Sequence, residues 1–489
     1  MGVCFYGGVW LVVLCMCADD LGFNEVGFRN GSRGIQTPHL DRLAGEGVIL
    51  DRYYTAPLCS ASRSSLMTGL YPHRIGTQSN VIYWDTPWAP ARSLRFLPEV
   101  LKSEAGYGAT AAFGKWHLGM YTTSAYPTSR GFDTFFGFMQ GGGSHGTHVS
   151  ACVGPPPDPT NDTLYVCAGP VNQHDKDYRG YDWFRDVHPD FSVNGTSSTK
   201  AIRDAAVAFV TTHANDSRPF FLYLPFQNAH EPIACSQAAY DRFRDLANAT
   251  AMEKLLFGYI WDMDQAVGDV VSAAPLDRTL VVFVSDNGAP PELGAGGRNW
   301  PLAGFKSQTL EGGVRVPAFV YGPGRVPSRK VVSSYVHVTD WLPTLLAAAG
   351  VRDDVITAIS VVPLDGANAW PALTTNATSR LEFVVNISPL CTRGGQMNWP
   401  KAALVQGDLK LVCSCFAVKG VDRARFTGCV PPLLLFNISA DPGETRDLGP
   451  AMPQAVAKLS RRFVELAVPH AHPMQVSMTE VNCFWAYGI

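Results

Sequence analysis

Val9-Trp10-Leu11-Val12-Val13-Leu14-Cys15-Met16-Cys17 runs directly into Ala18-Asp19-Asp20. Nine apolar residues without polar alternation describe a strand buried on both faces, and such strands belong to parallel sheets covered by helices. Ligands of open α/β sheets gather beyond the carboxyl ends of the strands. Two carboxylates at that end therefore mark a candidate site. The run also has the look of a signal-peptide core, but no Lys or Arg precedes it, and it is far short of the roughly 20 residues a spanning helix needs. Cleavage after Cys17 or Ala18 would destroy the strand, so a signal peptide is missing from this chain or poorly represented in it. Met-Gly-Val-Cys-Phe-Tyr lacks the Ser or Thr of a myristoylation signal. No stable membrane anchor is expected.

Outward from this strand, apolar runs alternate with segments of helical period, the pattern of a layered α/β domain. Thr37-Pro38 reads as N-cap and first-turn proline of a helix that turns Leu40, Leu43 and Ala44 inward. Ile202, Ala205, Ala206, Phe209 and Val210 keep the i, i+3, i+4, i+7 rule ahead of a strand at Phe220 to Phe226. Leu256, Ile260, Met263 and Val267 form another helical stripe before a strand at Leu280 to Val284, which ends at Ser285-Asp286-Asn287-Gly288. Two strands thus end in acidic or amide pairs. Beyond a helix at Trp341 to Ala349, the last hundred or so residues hold strand-like runs at 383–387, 402–405, 409–412 and 433–436 and a helix-like run at 455–467. This predicts a catalytic α/β domain over 1–370 and a smaller α+β domain over 371–489.

The chain has 489 residues, 46% hydrophobic and 17% charged, which excludes disorder, collagen and coiled coil. Its net charge of -3 offers no global attraction to nucleic acid or anionic membranes, so an anionic ligand needs a local basic site. Twelve cysteines leave the redox compartment open. Acceptor sequons at Asn30, Asn161, Asn194, Asn215, Asn248, Asn376, Asn386 and Asn437 point to the secretory pathway, since chance would supply roughly two or three. Cys152 and Cys167 flank Gly-Pro-Pro-Pro-Asp-Pro closely enough for a local disulfide.

The segment Cys59-Ser60-Ala61-Ser62-Arg63-Ser64-Ser65-Leu66-Met67-Thr68-Gly69 resembles the signature of type I sulfatases. The likeness extends through Ala18-Asp19-Asp20-Leu21-Gly22, Gly114-Lys115-Trp116-His117-Leu118-Gly119, His230-Glu231-Pro232, Ser285-Asp286-Asn287-Gly288, and Lys306 with Glu311-Gly312-Gly313-Val314-Arg315. In spacing and wording it is similar to the arylsulfatase B group, N-acetylgalactosamine-4-sulfatase and related arylsulfatases. Leu70 stands where those relatives continue with Arg.

The resemblance implies an alkaline-phosphatase-like fold, a large mixed sheet sandwiched by helices with a small C-terminal antiparallel sheet and helix. It implies that Cys59 is oxidised to formylglycine by a formylglycine-generating enzyme, and that one Ca²⁺ is held by Asp19, Asp20, the oxidised Cys59, Asp286 and Asn287. Hard oxygen donors suit Ca²⁺ better than Zn²⁺. Lys115 and Lys306 are matched to sulfate binding, and Arg63 to orienting the formylglycine hydrate. His117 and His230 are the candidate proton carriers, since imidazole titrates near working pH. His145 and His148, in Gly-Gly-Gly-Ser-His-Gly-Thr-His, read as part of a flexible loop near substrate.

The implied chemistry is attack on sulfur by one hydroxyl of the hydrated aldehyde, departure of the alcohol protonated by His230 or Lys306, and expulsion of sulfate after His117 takes the second hydroxyl's proton. The implied substrates are aryl sulfates or sulfated N-acetylgalactosamine in glycosaminoglycans, met in a lysosomal or extracellular setting. Two other readings suit the same residues: a phosphatase or phosphonate monoester hydrolase of the same superfamily, and a sulfated-glycan binder in which Cys59 stays a thiol.

Overall fold

The computed structural model describes residues 11–29, 34–84, 86–150, 180–291, 298–375, 377–388, 401–417 and 428–467. The apolar run at the start becomes the strand Val12–Ala18, at the centre of a ten-stranded mixed sheet. Five neighbouring strands in it are parallel, in the order Thr279–Ser285, Val12–Ala18, Phe220–Pro225, Ala109–Lys115 and Thr134–Phe138. Antiparallel pairings at Ala318–Tyr321 and Phe184–Arg185 carry the sheet onward on either side.

Alternate residues of the first strand serve the two faces. Val13, Cys15 and Cys17 join a core with Leu66, Leu97, Trp341 and Leu345, while Val12, Leu14 and Met16 join one with Leu40, Ile202, Leu256 and Val267. The helices Cys59–Thr68, Leu97–Ala105 and Trp341–Ala348 thus cover one face, and Pro38–Glu46, Ser198–His213 and Ala251–Ala273 the other. This is the expected sandwich. Pro38 opens its helix and Thr37 takes the N-cap position as predicted, its carbonyl accepting the Asp41 N–H at 2.8 Å, but its side chain makes no capping bond. The Thr37 hydroxyl donates to Asp41 Oδ1 at 2.8 Å and accepts the Gly27 N–H at 2.8 Å, tying the first turn of the helix to the short turn Gly27–Arg29 instead.

Strands Glu382–Ile387, Ala402–Gln406, Leu409–Ala417 and Gly428–Asn437 form an antiparallel sheet of their own. One face packs on Leu459 and Phe463 of the helix Pro453–Ala467, and the other on Tyr54, Val314 and Tyr335 of the large sheet's unit. A buried ion cluster clasps the two. Lys410 Nζ lies 2.9 Å from Glu311 Oε1 and 2.9 Å from Glu444 Oε1, Tyr54 donates to Glu311 Oε2 at 2.7 Å, and the Glu311 N–H donates to Glu444 Oε2 at 2.6 Å. Lys410→Met would remove the cation shared by two buried carboxylates, leaving Glu311 with Arg315 Nη1 at 3.7 Å. The expected loss is about 3–5 kcal/mol in chemical denaturation, and a variant as stable as the parent would show that the clasp contributes nothing.

Among the sequons, Asn194, Asn215 and Asn248 are exposed. Asn386 is buried and its amide donates to Gln78 O and Lys401 O, each at 3.0 Å, which leaves no open side for a glycan. Asn30, Asn161 and Asn376 lie outside the described residues, as do the Cys152–Cys167 pair and Cys483. Cys15, Cys17, Cys59 and Cys235 are free thiols, and Cys413 of the small sheet is disulfide-bonded. Leu70 is buried with Ile75 and Leu94 in a small apolar cluster.

Candidate active site

Four parallel strands deliver the predicted residues to one end of the sheet. Asp19 and Asp20 follow Ala18, Asp286 and Asn287 follow Ser285, Lys115 closes its strand with His117 two residues on, and His230 lies in the turn after Pro225. Register pairs Ala18 with Ser285, which sets the two acidic pairs side by side. The Asp286 N–H donates to Ala18 O at 3.1 Å and the Asp20 N–H to Asp286 Oδ1 at 3.2 Å. Asp20 and His117 both adopt φ of 57°, in the left-handed region that costs a non-glycine residue energy and tends to be kept at functional sites.

Cys59 is the first residue of the helix Cys59–Thr68, all ten of whose residues are buried. A helix N-terminus carries unpaired N–H groups and the positive end of the macrodipole, a setting that favours an anion. Cys59 Sγ stands 3.6 Å from Asp19 Oδ1 and 4.0 Å from Asp20 Oδ1. One turn along, Arg63 donates to Asp286 Oδ2 from Nε at 3.0 Å and Nη2 at 2.8 Å, and Nη2 also lies 3.6 Å from Asp19 Oδ1. Lys115 Nζ donates to Asp19 Oδ2 at 2.6 Å, and Lys306 Nζ to Asp20 Oδ2 at 2.7 Å. His230 Nε2 is 3.8 Å from that same Asp20 oxygen. Every residue singled out for chemistry falls in this one cluster.

Electrostatics sorts these groups. Burial and the Asp286 charge push the Asp19 carboxyl upward, whereas for Asp20 burial is outweighed by Lys306, His230 and Lys115, which hold it down. Burial pushes the Cys59 thiol up to about 12, so as a thiol it is protonated and a poor nucleophile. Burial and Lys306 draw His230 down to about 3, and burial with Lys115 and Arg63 draws His117 well down, so both imidazoles rest neutral. Lys306 keeps its proton, because Asp20 more than offsets its burial.

The donors suit a hard divalent cation. Asp19, Asp20, Cys59 and His230 offer atoms within 4.8 Å of one another. Asn287 Oδ1 is buried with no partner among the described residues, while its Nδ2 sits 2.7 Å from Asp20 Oδ1. Rotating the amide by half a turn would place an orphaned oxygen beside the carboxylates, as oxygen coordination of Ca²⁺ requires.

The glycine-rich loop read from the sequence as lying near substrate forms a wall of this site. Gly141 and Gly142 lie directly against the imidazoles of His117 and His230. The loop that carries them is not the loose segment expected. His145 and His148 are each only 3% exposed, and His145 is hydrogen-bonded on both ring nitrogens. The Gly-Gly-Gly run was the available signal, but glycines read equally well as slack chain or as close approach.

Comparison with known proteins agrees with the geometry. Arylsulfatase J of Mus musculus is 32% identical, over 94% of this chain and 77% of its own length. N-acetylgalactosamine-6-sulfatase of Homo sapiens is 30% identical, over 74% of this chain and 65% of its own, so the chain spans just under two thirds of that relative. The crystal structure of Ps i-CgsB in complex with k-i-k-neocarrahexaose superposes with a TM-score of 0.76 at 27% identity, covering 98% of this chain and 97% of that one. The sulfatase family model matches residues 11–351, the span that contains the whole cluster from Asp19 to Lys306, and the chain belongs to the sulfatase family.

Proposed function

We propose that this sulfatase removes sulfate from monoesters of sulfated N-acetylgalactosamine or a related glycan sugar, using Cys59 converted to formylglycine and one Ca²⁺ held by Asp19, Asp20, residue 59, Asp286 and Asn287. The observation that carries the reading is Cys59 at a buried helix N-terminus, between two carboxylates and within the reach of Lys115 and Lys306. The reading places the chain in the secretory pathway, lysosomal or extracellular, with a formylglycine-generating enzyme as its maturation partner. Among the described residues no helix is long and apolar enough to cross a membrane.

When bound, the calcium would neutralise carboxylate charge and acidify the attacking hydroxyl that formylglycine supplies. Lys115 and Lys306 bind the sulfate oxygens and stabilise charge that develops on them. Arg63, fixed by its two bonds to Asp286, holds Nη2 3.6 Å from the Asp19 carboxylate oxygen that faces residue 59. His230 Nδ1 lies 2.5 Å from Glu231 O, which can only accept, so Nδ1 carries the hydrogen and Nε2 is the working nitrogen. Nε2 rests as an acceptor and faces the Asp20 oxygen that also holds Lys306. Lys306 is the resting proton source, and His230 passes a proton to the departing oxygen. His117, neutral with an unpartnered Nδ1, is the acceptor for the second hydroxyl's proton.

Charge favours sulfate over phosphate. Asp19, Asp20 and Asp286 are balanced by Arg63, Lys115 and Lys306, so one divalent cation leaves two positive charges. Those match a singly charged sulfate ester plus one ionised hydroxyl. A phosphate monoester at neutral pH brings one negative charge more.

Side-by-side kinetics with nitrophenyl sulfate and nitrophenyl phosphate test the reaction, and a panel of 4- and 6-sulfated N-acetylgalactosamine disaccharides tests the substrate. Sulfate turnover dominating by orders of magnitude, abolished by a chelator and restored by Ca²⁺, is expected. Dominant phosphate turnover would overturn the reading, and an unmodified Cys59 in active protein would overturn the formylglycine assignment.

A further inference from the structure

His145 joins four segments of the chain. Its own carbonyl accepts the Ser198 N–H at 3.1 Å, and Nδ1 meets the Ser198 hydroxyl. Nε2 lies 2.9 Å from Pro232 O, and the Tyr259 hydroxyl lies 2.9 Å from the same nitrogen. The Pro232 carbonyl can only accept, so Nε2 carries the hydrogen and Nδ1 accepts from Ser198. All of these groups are buried. Gln227 ties the same region from the other side, donating from Nε2 to Gly143 O at 2.8 Å and accepting the His230 N–H at 2.8 Å.

What this clamp holds down is a strap over both imidazoles. A Cβ on Gly141 would stand 3.0 Å from His117 Cε1. One on Gly142 would stand 3.0 Å from Glu231 O and 3.1 Å from His230 Nδ1. Neither glycine adopts a left-handed φ, so closeness to the rings, not backbone freedom, calls for glycine at both positions.

We propose that His145 is a positioning residue of the reaction: by clamping the Gly142 end of the strap and the Pro232 carbonyl, it sets the direction in which the His230 imidazole points. The proposal rests on the reading that His230 carries a proton to the departing oxygen. A sugar alcohol is a poor leaving group and needs that proton, whereas nitrophenolate leaves without it. Misdirecting His230 therefore penalises the two substrates unequally, which a general loss of folded protein does not.

The test compares His145→Phe, His145→Gln and Gly142→Ala with His230→Gln as reference, each assayed on a sulfated N-acetylgalactosamine and on nitrophenyl sulfate, with thermal unfolding alongside. His230→Gln is expected to lose far more activity on the sugar ester. His145→Phe and Gly142→Ala are expected to share that asymmetry, with kcat on the sugar ester down about tenfold to a hundredfold and nitrophenyl sulfate turnover nearly kept. His145→Gln, which retains an N–H for Pro232 O, should recover much of the loss. If His145→Phe does not fold, Gly142→Ala and His145→Gln carry the test. Equal losses on both substrates in the His145 and Gly142 variants, with the asymmetry present in His230→Gln, would overturn the proposal alone. A symmetric loss in His230→Gln would overturn the proton role and the proposal with it.

Discussion

Cys59→Ala is expected to bring sulfate-ester turnover down to the uncatalysed background, a loss on the order of 10⁴-fold or more, while the protein folds normally. The side chain is small and 1% exposed, and its thiol makes only long contacts with Asp19 and Asp20, so alanine removes little packing. Cys59→Ser is the more instructive variant. Serine offers a hydroxyl in the same place but cannot form a geminal diol that collapses and expels sulfate. It should at most take up one sulfate and stop. Mass spectrometry of the peptide containing residue 59 would detect that adduct, and continuous turnover by the serine variant would refute the aldehyde route.

Lys115→Met is expected to cost about 10²–10³-fold in kcat with an intact fold by circular dichroism. Lys115 is fully buried and its ammonium is 2.6 Å from Asp19 Oδ2. Methionine keeps the stem's packing and deletes the charge, leaving Arg63 Nη2 at 3.6 Å as the nearest side-chain cation to Asp19. The charge lost is one that offsets the upward push of burial and Asp286 on the Asp19 carboxyl. Lys115→Arg should not restore activity, because a planar fork cannot reproduce a point charge in a closed site. Near-parental kcat in either variant would remove Lys115 from the sulfate-binding groups.

The strand Val12–Ala18 and its acidic end were readable because a run with no polar alternation has few other uses, and the sheet put its neighbours where that run implied. Cys59, Arg63, Lys115, His117, His230 and Lys306 were readable only through wording shared with a family, since nothing in a lone Lys or His announces its neighbours in space. The Thr37 side chain and the His145 loop depart from their reading for one reason. Each has polar atoms that local sequence can place at a cap or in a loop, but their partners are Gly27 and Asp41 in one case, and Ser198 and Pro232 in the other. The Lys410 clasp is similarly invisible along the chain, because Glu311 sits about a hundred positions away.

The order of synthesis gives the first strand one more consequence. Its two hydrogen-bonding neighbours begin only when the ribosome has reached Phe220 and Thr279. Until then this wholly apolar segment of the nascent chain has neither edge occupied, and it presents the kind of surface on which growing polypeptides clump together. Slow translation or scarce chaperones should therefore reduce the yield of this protein through this one strand, well before any chemistry at its far end is at stake.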